Sequence, residues 1–378
     1  MPLKSSGIGK KGKPQPHIYL LGGFPPPVTG NSLSFATIAK DLEGRAPGHV
    51  TRLNVNGTRL GKSAIAWKVL RYVKYWCQLL FLPTDRPATL YHVCEGDRAL
   101  FLTLLTLLIA RVKALPVTLH HHSFGYINSP RGIVSTINRL LGPRSKHVFL
   151  SQGMADAFFA QYTTPRGYVL NHNLAQSAQF WNAARSLPRI KAQAPIRVGH
   201  LSNLSFEKGL DTFIEIAELA KTRGLPVEFI LAGAPSSALE TEYIDKAKDR
   251  LAGSLQYLGP IFGGKKVQFF RALDIFVFPT RYYHEAQPIV LLEALIAGCA
   301  VISTDRGCIA EDMRAMGGIL IPRESAADPN AYLNALQTFV DTPNTLAATR
   351  ALSLSRTRKQ YEAAKSGYYG WTNSMING

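Results

Sequence analysis

The chain has 378 residues, of which 46% are hydrophobic and 18% are charged, as in an ordinary globular protein long enough for two domains. We expect no signal peptide, and no apolar run is long enough to span a bilayer, which argues against an integral membrane protein. The four cysteines have no metal-binding or redox spacing, so we expect reduced thiols in a cytoplasmic protein.

The net charge of +18 belongs entirely to the first half of the chain. Residues 1–194 contain 24 Lys and Arg against 6 Asp and Glu, whereas residues 195–378 contain 19 of each kind. A one-sided basic field predicts an anionic partner, either a membrane surface or a nucleic acid. The basic segment 1–16, which is rich in Gly, Ser and Pro, is predicted to be a disordered tail.

The first strand–turn–helix unit ends its Pro-rich turn at Gly30. His17 to Gly22 is predicted to be a strand, and the helix after Gly30 is predicted to run to about Leu42. A glycine at a helix start lets a ligand approach the backbone closely, and Asn31 can cap the helix. Because any strand–turn–helix uses glycine in this way, a purely structural turn fits the motif too.

Residues 62–82 form a helical pattern in which basic and aromatic side chains interleave. The residues that define it are Trp67, Lys68, Arg71, Lys74 and Trp76. The basic members recur every three positions, so they share a face with some drift. Such a helix is typical of a protein that lies on an anionic membrane. A core helix with a solvated basic edge is nearly as well supported, and the charge of the first half favours the membrane.

Three consecutive histidines follow a predicted strand that begins at Pro116. Strand alternation would put His120 and His122 on one side and His121 on the other. Open α/β sheets place their sites at the carboxyl ends of strands, where imidazoles act as ligands or as acid–base groups. Zinc is compatible with this run, but a fourth ligand is missing from it.

Lys208 lies where a predicted strand and turn lead into the first helix of the second half. A cation at a helix N-terminus is unfavourable by roughly 0.3–1 kcal/mol, and a bound diphosphate would reverse that penalty. An ordinary exposed lysine in a turn is the alternative.

The unit at residues 274–305 is predicted to be strand, loop, helix and strand. Pro288 is placed to open the helix and Gly298 to end it. Glu285 lies just before the helix, where free amides favour anions, and Glu293 lies among apolar neighbours, where an unpaired carboxylate is costly. This pattern predicts a site for a phosphorylated, hydroxyl-rich ligand. Alternatively, Glu285 complements the helix dipole and Glu293 reaches solvent.

Two segments resemble motifs of one enzyme family. Glu285-Ala-Gln-Pro-Ile-Val-Leu-Leu-Glu293-Ala-Leu-Ile-Ala-Gly298 resembles the Glu-x7-Glu motif of glycosyltransferase family 4, which contains retaining, nucleotide-sugar-dependent enzymes of the GT-B fold. Lys208 and the glycine after it resemble the end of the family's Gly-Arg-Leu-x-x-x-Lys-Gly element, whose Arg and Lys hold the diphosphate. Asn203 stands at the Arg position, so the second cation is either missing or located elsewhere.

The resemblance implies roles for particular residues. Thr118-Leu-His120 resembles the family's Thr-x-His, so the implied catalytic residues are His120, Lys208 and Glu285. The implied donor-binding residues are Gly30, Asn31, Asn203, Lys208, Gly233, Ile261, Glu285, Ala286, Gln287, Pro288, Ile289 and Glu293. The implied acceptor side consists of His121, His122, Ser123 and Phe124. The resemblance implies a nucleotide-diphosphate sugar as co-substrate and neither a metal nor another cofactor.

The alternation of strands and helices, together with the resemblance, predicts a GT-B fold of two doubly wound α/β domains facing each other across a cleft. The predicted first domain spans 17–173, a connector 174–195 and the donor-binding domain 196–354. A terminal helix at 355–378 is predicted to cross back to the first domain.

The predicted function is transfer of a sugar to a hydroxyl of a glycan or lipid acceptor, carried out on the inner face of the cytoplasmic membrane. Acceptor and membrane follow from the charge asymmetry, with the membrane preferred over nucleic acid as partner. A nucleotide-sugar epimerase of the same fold is one alternative. A non-enzymatic nucleic-acid-binding protein is the other, and it would leave the two glutamates unexplained.

Overall fold

The computed structural model describes residues 15–57, 62–83, 86–163, 167–187 and 195–377. Residues 1–14 of the predicted tail 1–16 and residues 188–194 of the predicted connector lie outside the described residues. The remaining chain forms two α/β domains, one after the other.

The first domain alternates strands with helices. Its strands are β1 (His17–Gly22), β2 (Val50–Asn54), β3 (Ala88–Val93), β4 (Val117–His120), β5 (Lys146–Phe149) and β6 (Tyr168–Leu170). Its helices are α1 (Gly30–Arg45), α2 (Lys62–Leu80), α3 (Leu100–Val112), α4 (Gly125–Asn128), α5 (Gly132–Leu140) and α6 (Gln152–Gln161).

The second half repeats this alternation. A helix, α7 (Ala178–Ser186), precedes its sheet. Its strands are β7 (Ile196–Leu201), β8 (Val227–Ala232), β9 (Leu255–Tyr257), β10 (Ile275–Phe278), β11 (Ala300–Thr304) and β12 (Ile319–Ile321). Its helices are α8 (Leu210–Thr222), α9 (Ala238–Arg250), α10 (Gly263–Ala272), α11 (Ile289–Ala297), α12 (Ile309–Met316), α13 (Pro329–Asp341) and α14 (Pro343–Asn377).

Both sheets are parallel and, within the described residues, six-stranded, in the orders β2-β1-β3-β4-β5-β6 and β12-β11-β10-β7-β8-β9. Every residue of β10 and β11 is buried, as expected for strands covered by helices on both faces. The strand order reverses between β1 and β3 and between β7 and β10. Because open sheets bind ligands at the carboxyl ends of such strands, the loops after them are the candidate sites. The predicted doubly wound α/β architecture is confirmed.

The last helix joins the two domains. It begins at Pro343, earlier than the predicted 355–378, and its first turns pack on the second domain, where Arg350 forms a buried salt bridge with Asp274. Its last turns join the core of the first domain, where Trp371 stacks on Tyr91 with ring centroids 5.9 Å apart. The helix α14 is therefore fixed to the second domain at its N-terminal end and to the first domain at its C-terminal end.

The predicted connector 174–195 contains ordered structure. Helix α7 buries Trp181, which stacks on Tyr361 of α14 at 4.6 Å with nearly parallel rings. The connector thus packs against the second domain and the joining helix.

His200 is a buried residue of β7, which pairs with β10 at the centre of the second sheet. Its Nδ1 is 3.0 Å from the Val277 carbonyl, which only accepts hydrogen bonds, so Nδ1 carries the proton and Nε2 accepts from Ser202 Oγ at 2.9 Å. Burial is the main cause that lowers the pKa of His200 to about 4. The folded protein therefore holds this imidazole neutral.

Acidification from pH 7.5 to 5 is expected to lower the midpoint of thermal unfolding. Below about pH 6.5 the unfolded chain binds a proton that folded His200 rejects until about pH 4, which removes up to about 1.4 kcal/mol of stability per pH unit. Burial also lowers the pKa values of His92, His120, His121 and His122, so the losses add.

His200→Asn should show a shallower loss than the wild type, since asparagine retains a donor for the Val277 carbonyl and does not titrate. A midpoint that is constant between pH 7.5 and 5 in the wild type would contradict the neutral, buried imidazoles.

Candidate active site

The carboxyl ends of the two sheets face a common cleft of about 660 Å³. Loops that follow β1, β3 and β4 line it from the first domain, and loops that follow β7 to β10 line it from the second. The predicted site residues that line it are Gly30, Asn31, His122, Ser123, Asn203, Lys208, Gly233, Ile261, Glu285, Ala286, Gln287, Pro288, Ile289 and Glu293. The whole predicted donor set is therefore gathered on one surface.

A lysine–glutamate pair lies in front of helix α11. Lys208 Nζ is 2.6 Å from Glu285 Oε2, and Thr280 Oγ1 donates to the same oxygen at 3.2 Å. The Lys208 ammonium also lies 4.3 Å from the centre of the Tyr282 ring. Glu285 is buried, so its charge is balanced by a lysine that reaches it from a different loop.

The loop that carries Lys208 is fixed from behind. Gly209 has a φ of +83°, and a Cβ there would lie 2.2 Å from the Pro279 carbonyl oxygen. Arg281 donates to both carboxylate oxygens of Asp211, at 2.9 and 2.7 Å, and to the carbonyl of Phe206. The loops after β7 and β10 are thus held in contact, which places Lys208 beside Glu285.

The N-terminus of α11 opens into the cleft at a point between Glu285, which precedes the helix, and Glu293, which lies on it. Pro288 is the N-cap, and the cleft is lined by Ile289 and Val290, whose first-turn amide groups helix geometry leaves without intrahelical partners. Opposite them, Gly30 at the start of α1 would bring a Cβ within 3.7 Å of Ile289. Two helix N-termini from different domains therefore point at one space, a favourable place for an anion.

A second pair was not predicted. Lys266 in α10 forms a salt bridge with Glu293 Oε1, while Glu293 Oε2 is buried and has no hydrogen-bond partner among the described residues. Burial raises the pKa of Glu293, and Lys266 opposes that rise. In the sequence, Lys266 follows Gly263 and Gly264 at the start of a helix. Many helices begin with basic residues, so this pattern does not identify a binding site.

Gln287 joins the site loop to the crossover between the domains. Its Oε1 accepts from the Asn173 backbone amide at 2.8 Å, and its Nε2 donates to Asp312 at 3.0 Å. His172 Nε2 lies 2.8 Å from the same carboxylate. His172 and Asp312 were missed because they are distant in sequence from the motif that they support.

The three histidines separate as alternation predicts, but the cleft receives only His122. His120 is fully buried behind it, with Nδ1 bonded to the Tyr91 hydroxyl and 3.1 Å from His122 Nε2. His121 points into the core, where it contacts Tyr126 Oη and His147, each at 2.8 Å.

Phe124 is likewise a core residue rather than a lining residue. Of the four predicted acceptor-side residues, His122 and Ser123 line the cleft, and His121 and Phe124 do not. Burial lowers the pKa of His122 to about 3, so this imidazole is neutral in the cleft.

A second unpredicted histidine connects the domains at the cleft. His284 Nδ1 is 3.4 Å from Ser123 Oγ, and its Nε2 is 3.4 Å from Asp97 Oδ2. A Cβ at Gly125 would lie 2.2 Å from the same ring, so only glycine fits there. Asp97, at a φ of +48°, also lines the cleft.

The five residues predicted to face a membrane do not share one surface. Lys68 pairs with Glu95 at 2.7 Å, Trp76 donates to Thr106 at 2.9 Å, and Arg71 donates to a backbone carbonyl of β2 at 3.0 Å. These three side chains turn towards the domain, where each finds a hydrogen-bond or ion-pair partner.

The exposed surface of α2 and α3 is instead largely apolar. Its large exposed apolar side chains are Ile65, Trp67, Val69, Leu70, Val73 and Leu80 on α2 and Phe101, Leu105, Leu108 and Val112 on α3, and Lys74, Gln78 and Arg111 are exposed on the same helices. The α3 members follow the three- and four-residue spacing of one helix face. Together, these exposed side chains of α2 and α3 form the apolar face of the first domain.

Two features are absent from the part of the chain that the structure describes. None of the helices there has the length and hydropathy that crossing a bilayer requires. No group of three or more His, Cys, Asp or Glu side chains there has an arrangement that could hold a metal ion.

Residues 195–341 match the family model for "Glycosyl transferases group 1". A relative, the lipopolysaccharide core biosynthesis mannosyltransferase LpsB of Rhizobium meliloti (strain 1021), is 30% identical over 171 residues. That match covers 43% of this chain and 47% of the relative, so it spans about half of the relative's length.

Solved structures resemble the whole chain. Sucrose-phosphate synthase from Thermosynechococcus elongatus has a TM-score of 0.67 at 15% identity, covering 95% of this chain and 99% of that one. Anabaena HepE, solved in complex with UDP and glucose, has a TM-score of 0.63 at 16% identity, covering 95% and 100%. These similarities confirm the predicted GT-B fold.

Gly209→Ala is expected to destabilise the protein by at least about 2 kcal/mol, because a left-handed backbone and a clash with the Pro279 carbonyl act together. Gly224→Ala is the matched control: its φ is +65°, but nothing lies within 4 Å of the added Cβ, so only about 1 kcal/mol should be lost. Denaturant unfolding compares the two. Equal losses would show that the loop packing around Lys208 is loose.

Proposed function

We propose that the protein is a retaining glycosyltransferase that moves a sugar from a nucleotide-diphosphate sugar to a hydroxyl of a membrane-linked glycan or lipid acceptor. The observation that carries the proposal is the N-terminus of α11, which opens into an interdomain cleft between two buried carboxylates, each paired with a lysine. All four charged residues lie inside the segment that matches glycosyl transferases group 1.

The diphosphate is assigned to the N-terminus of α11. First-turn amides there offer hydrogen bonds, the helix dipole favours negative charge, and Lys208 supplies an ammonium at the same point. The start of α1 at Gly30 and Asn31 faces this position from the first domain. As the sugar leaves, these groups stabilise the charge that develops on the diphosphate, which is the largest electrostatic demand of the reaction.

The two carboxylates are assigned to hydroxyl groups of the donor. Glu285 takes the sugar, since it precedes the helix and already accepts from Thr280 and Lys208. Glu293 takes the ribose with its buried, unpartnered Oε2. Beyond it, Gly233 and Ile261 lie on the lining and face the base. HepE, which shares the fold, was solved in complex with UDP and glucose, and that complex supports a nucleotide as the ligand.

In the proposed transfer the bond between the anomeric carbon and the diphosphate oxygen breaks, and the bonding electrons leave with the diphosphate. The acceptor oxygen forms the new bond on the same face of the sugar, and a leaving phosphate oxygen takes the acceptor proton. Neutral His122 orients the sugar or the acceptor by hydrogen bonding. His120, for which the resemblance implied that role, is a positioning residue behind it.

Lys208→Ala and Glu285→Gln should each lower sugar transfer at least about 100-fold, since each removes a group that contacts the leaving diphosphate or the sugar. The assay measures release of nucleoside diphosphate from a panel of activated sugars, with and without a membrane lipid extract as acceptor.

Matched controls are Lys246→Ala and Glu242→Gln, which break an exposed pair of equal length, 2.6 Å, on α9 and should keep full activity. Wild-type activity in either site variant would refute the assigned roles. Conversion of a nucleotide sugar into its epimer, without acceptor and without net release of nucleoside diphosphate, would favour the epimerase alternative.

We assign membrane contact to the apolar face rather than to the predicted basic side chains. An exposed apolar stripe in the half of the chain that holds the excess of positive charge fits the interface of an anionic bilayer. LpsB, the relative that matches part of the chain, is described as a lipopolysaccharide core enzyme, and this supports a lipid-linked acceptor. The enzyme would then work as a peripheral protein on the cytoplasmic side.

A Val73→Glu and Leu105→Glu double variant should bind vesicles containing anionic phosphatidylglycerol at least about 10-fold more weakly than the wild type, because two charges enter the apolar face. Flotation measures the bound fraction. Leu352→Glu, at an exposed leucine on α14 away from the apolar face, is the control and should bind as the wild type does. Unchanged flotation of the double variant, or no flotation of the wild type, would contradict the membrane assignment.

A further inference from the structure

Lys266 is the second cation of the cleft. Within the described residues, Lys208 and Lys266 are the lysines or arginines that line it. The Lys266 side chain is only 20% exposed; its ammonium is paired with Glu293 and lies 5.8 Å from the centre of the Phe180 ring. An ordinary surface lysine extends into solvent, whereas a buried carboxylate and an aromatic ring hold the Lys266 ammonium in one place at the cleft.

Its partner is incomplete without a ligand. The Glu293 side chain is 5% exposed, and its Oε2 has no hydrogen-bond partner among the described residues. A buried carboxylate oxygen without a donor is costly, and most such atoms in proteins are satisfied. A ligand hydroxyl delivered to the cleft would satisfy Oε2 while Oε1 keeps its contact with Lys266.

The charges of the cleft call for a second cation at the ligand. A diphosphate brings at least two negative charges into a space that already holds Glu285 and Glu293, so one ammonium cannot offset the repulsion. Asn203 lines the cleft but carries no charge. Each lysine has three N–H groups, so each can keep its carboxylate and also donate to a phosphate oxygen.

We propose that Lys266 binds the donor diphosphate, so that the two phosphates lie between Lys208 and Lys266 across the N-terminus of α11. This inference rests on the proposed function, and it places the cation that the Lys208 loop lacks on a different element, α10. Glu293 then accepts a ribose hydroxyl beside the phosphate that Lys266 holds.

Calorimetric titration with UDP, GDP and ADP, and with the matching monophosphates and nucleosides, tests the proposal. Lys266→Ala should weaken diphosphate binding about 10- to 100-fold, the loss expected for a charge-assisted hydrogen bond, and should leave nucleoside binding nearly unchanged. Lys265→Ala removes an equal charge from the neighbouring, exposed position of the same helix and should change the affinity less than about 2-fold.

A double variant separates phosphate contact from simple neutralisation of Glu293. Glu293→Gln needs no counterion, so Lys266→Met added to it should still weaken diphosphate binding if Lys266 touches phosphate. No further loss in the double variant, or equal affinities of the Lys266→Ala and Lys265→Ala proteins, would overturn the inference. Failure of every nucleotide to bind the wild type would instead contradict the proposed function.

Discussion

The structure depends on the burial of two carboxylates beside the N-terminus of one helix. Glu285 and Glu293 flank the start of α11, and each is tolerated there because a lysine from another element reaches it. Isolated, either charge would destabilise the domain by several kcal/mol. The arrangement places first-turn amide groups, two ammonium groups and one buried carboxylate oxygen without a hydrogen-bond partner among the described residues beside the same cleft, which suits a ligand that combines phosphate with hydroxyl groups.

The fold supplies this arrangement through its topology. Parallel strands place their carboxyl ends on one edge, so loops distant in sequence, such as those with Lys208 and Glu285, meet at the switch point between β7 and β10. Gly209 allows the contact between those loops, since any side chain there would strike Pro279. The helix α14 and the bonds of Gln287 to Asn173 and Asp312 then fix the loop relative to the first domain.

The sequence predicted the parts of the site that depend on local pattern, and it missed those that depend on contact between distant segments. Glu285 and Glu293 could be found because helix signals and spacing surround them. Lys266 could not, because its partner is far along the chain and a basic helix start is common. The α2 helix was predicted correctly as a helix, but the direction of its basic side chains was decided by partners such as Glu95. Strand alternation placed His120 and His121 on opposite sides, but it could not show that, of the three consecutive histidines, only His122 reaches the cleft.

Crystals of the protein grown separately with UDP and with GDP would show directly where a diphosphate binds. We expect difference density for a diphosphate against the first turn of α11, with a phosphate oxygen within about 3 Å of Lys208 Nζ. A nucleotide bound with its phosphates directed away from that helix, or lying outside the cleft, would contradict that expectation.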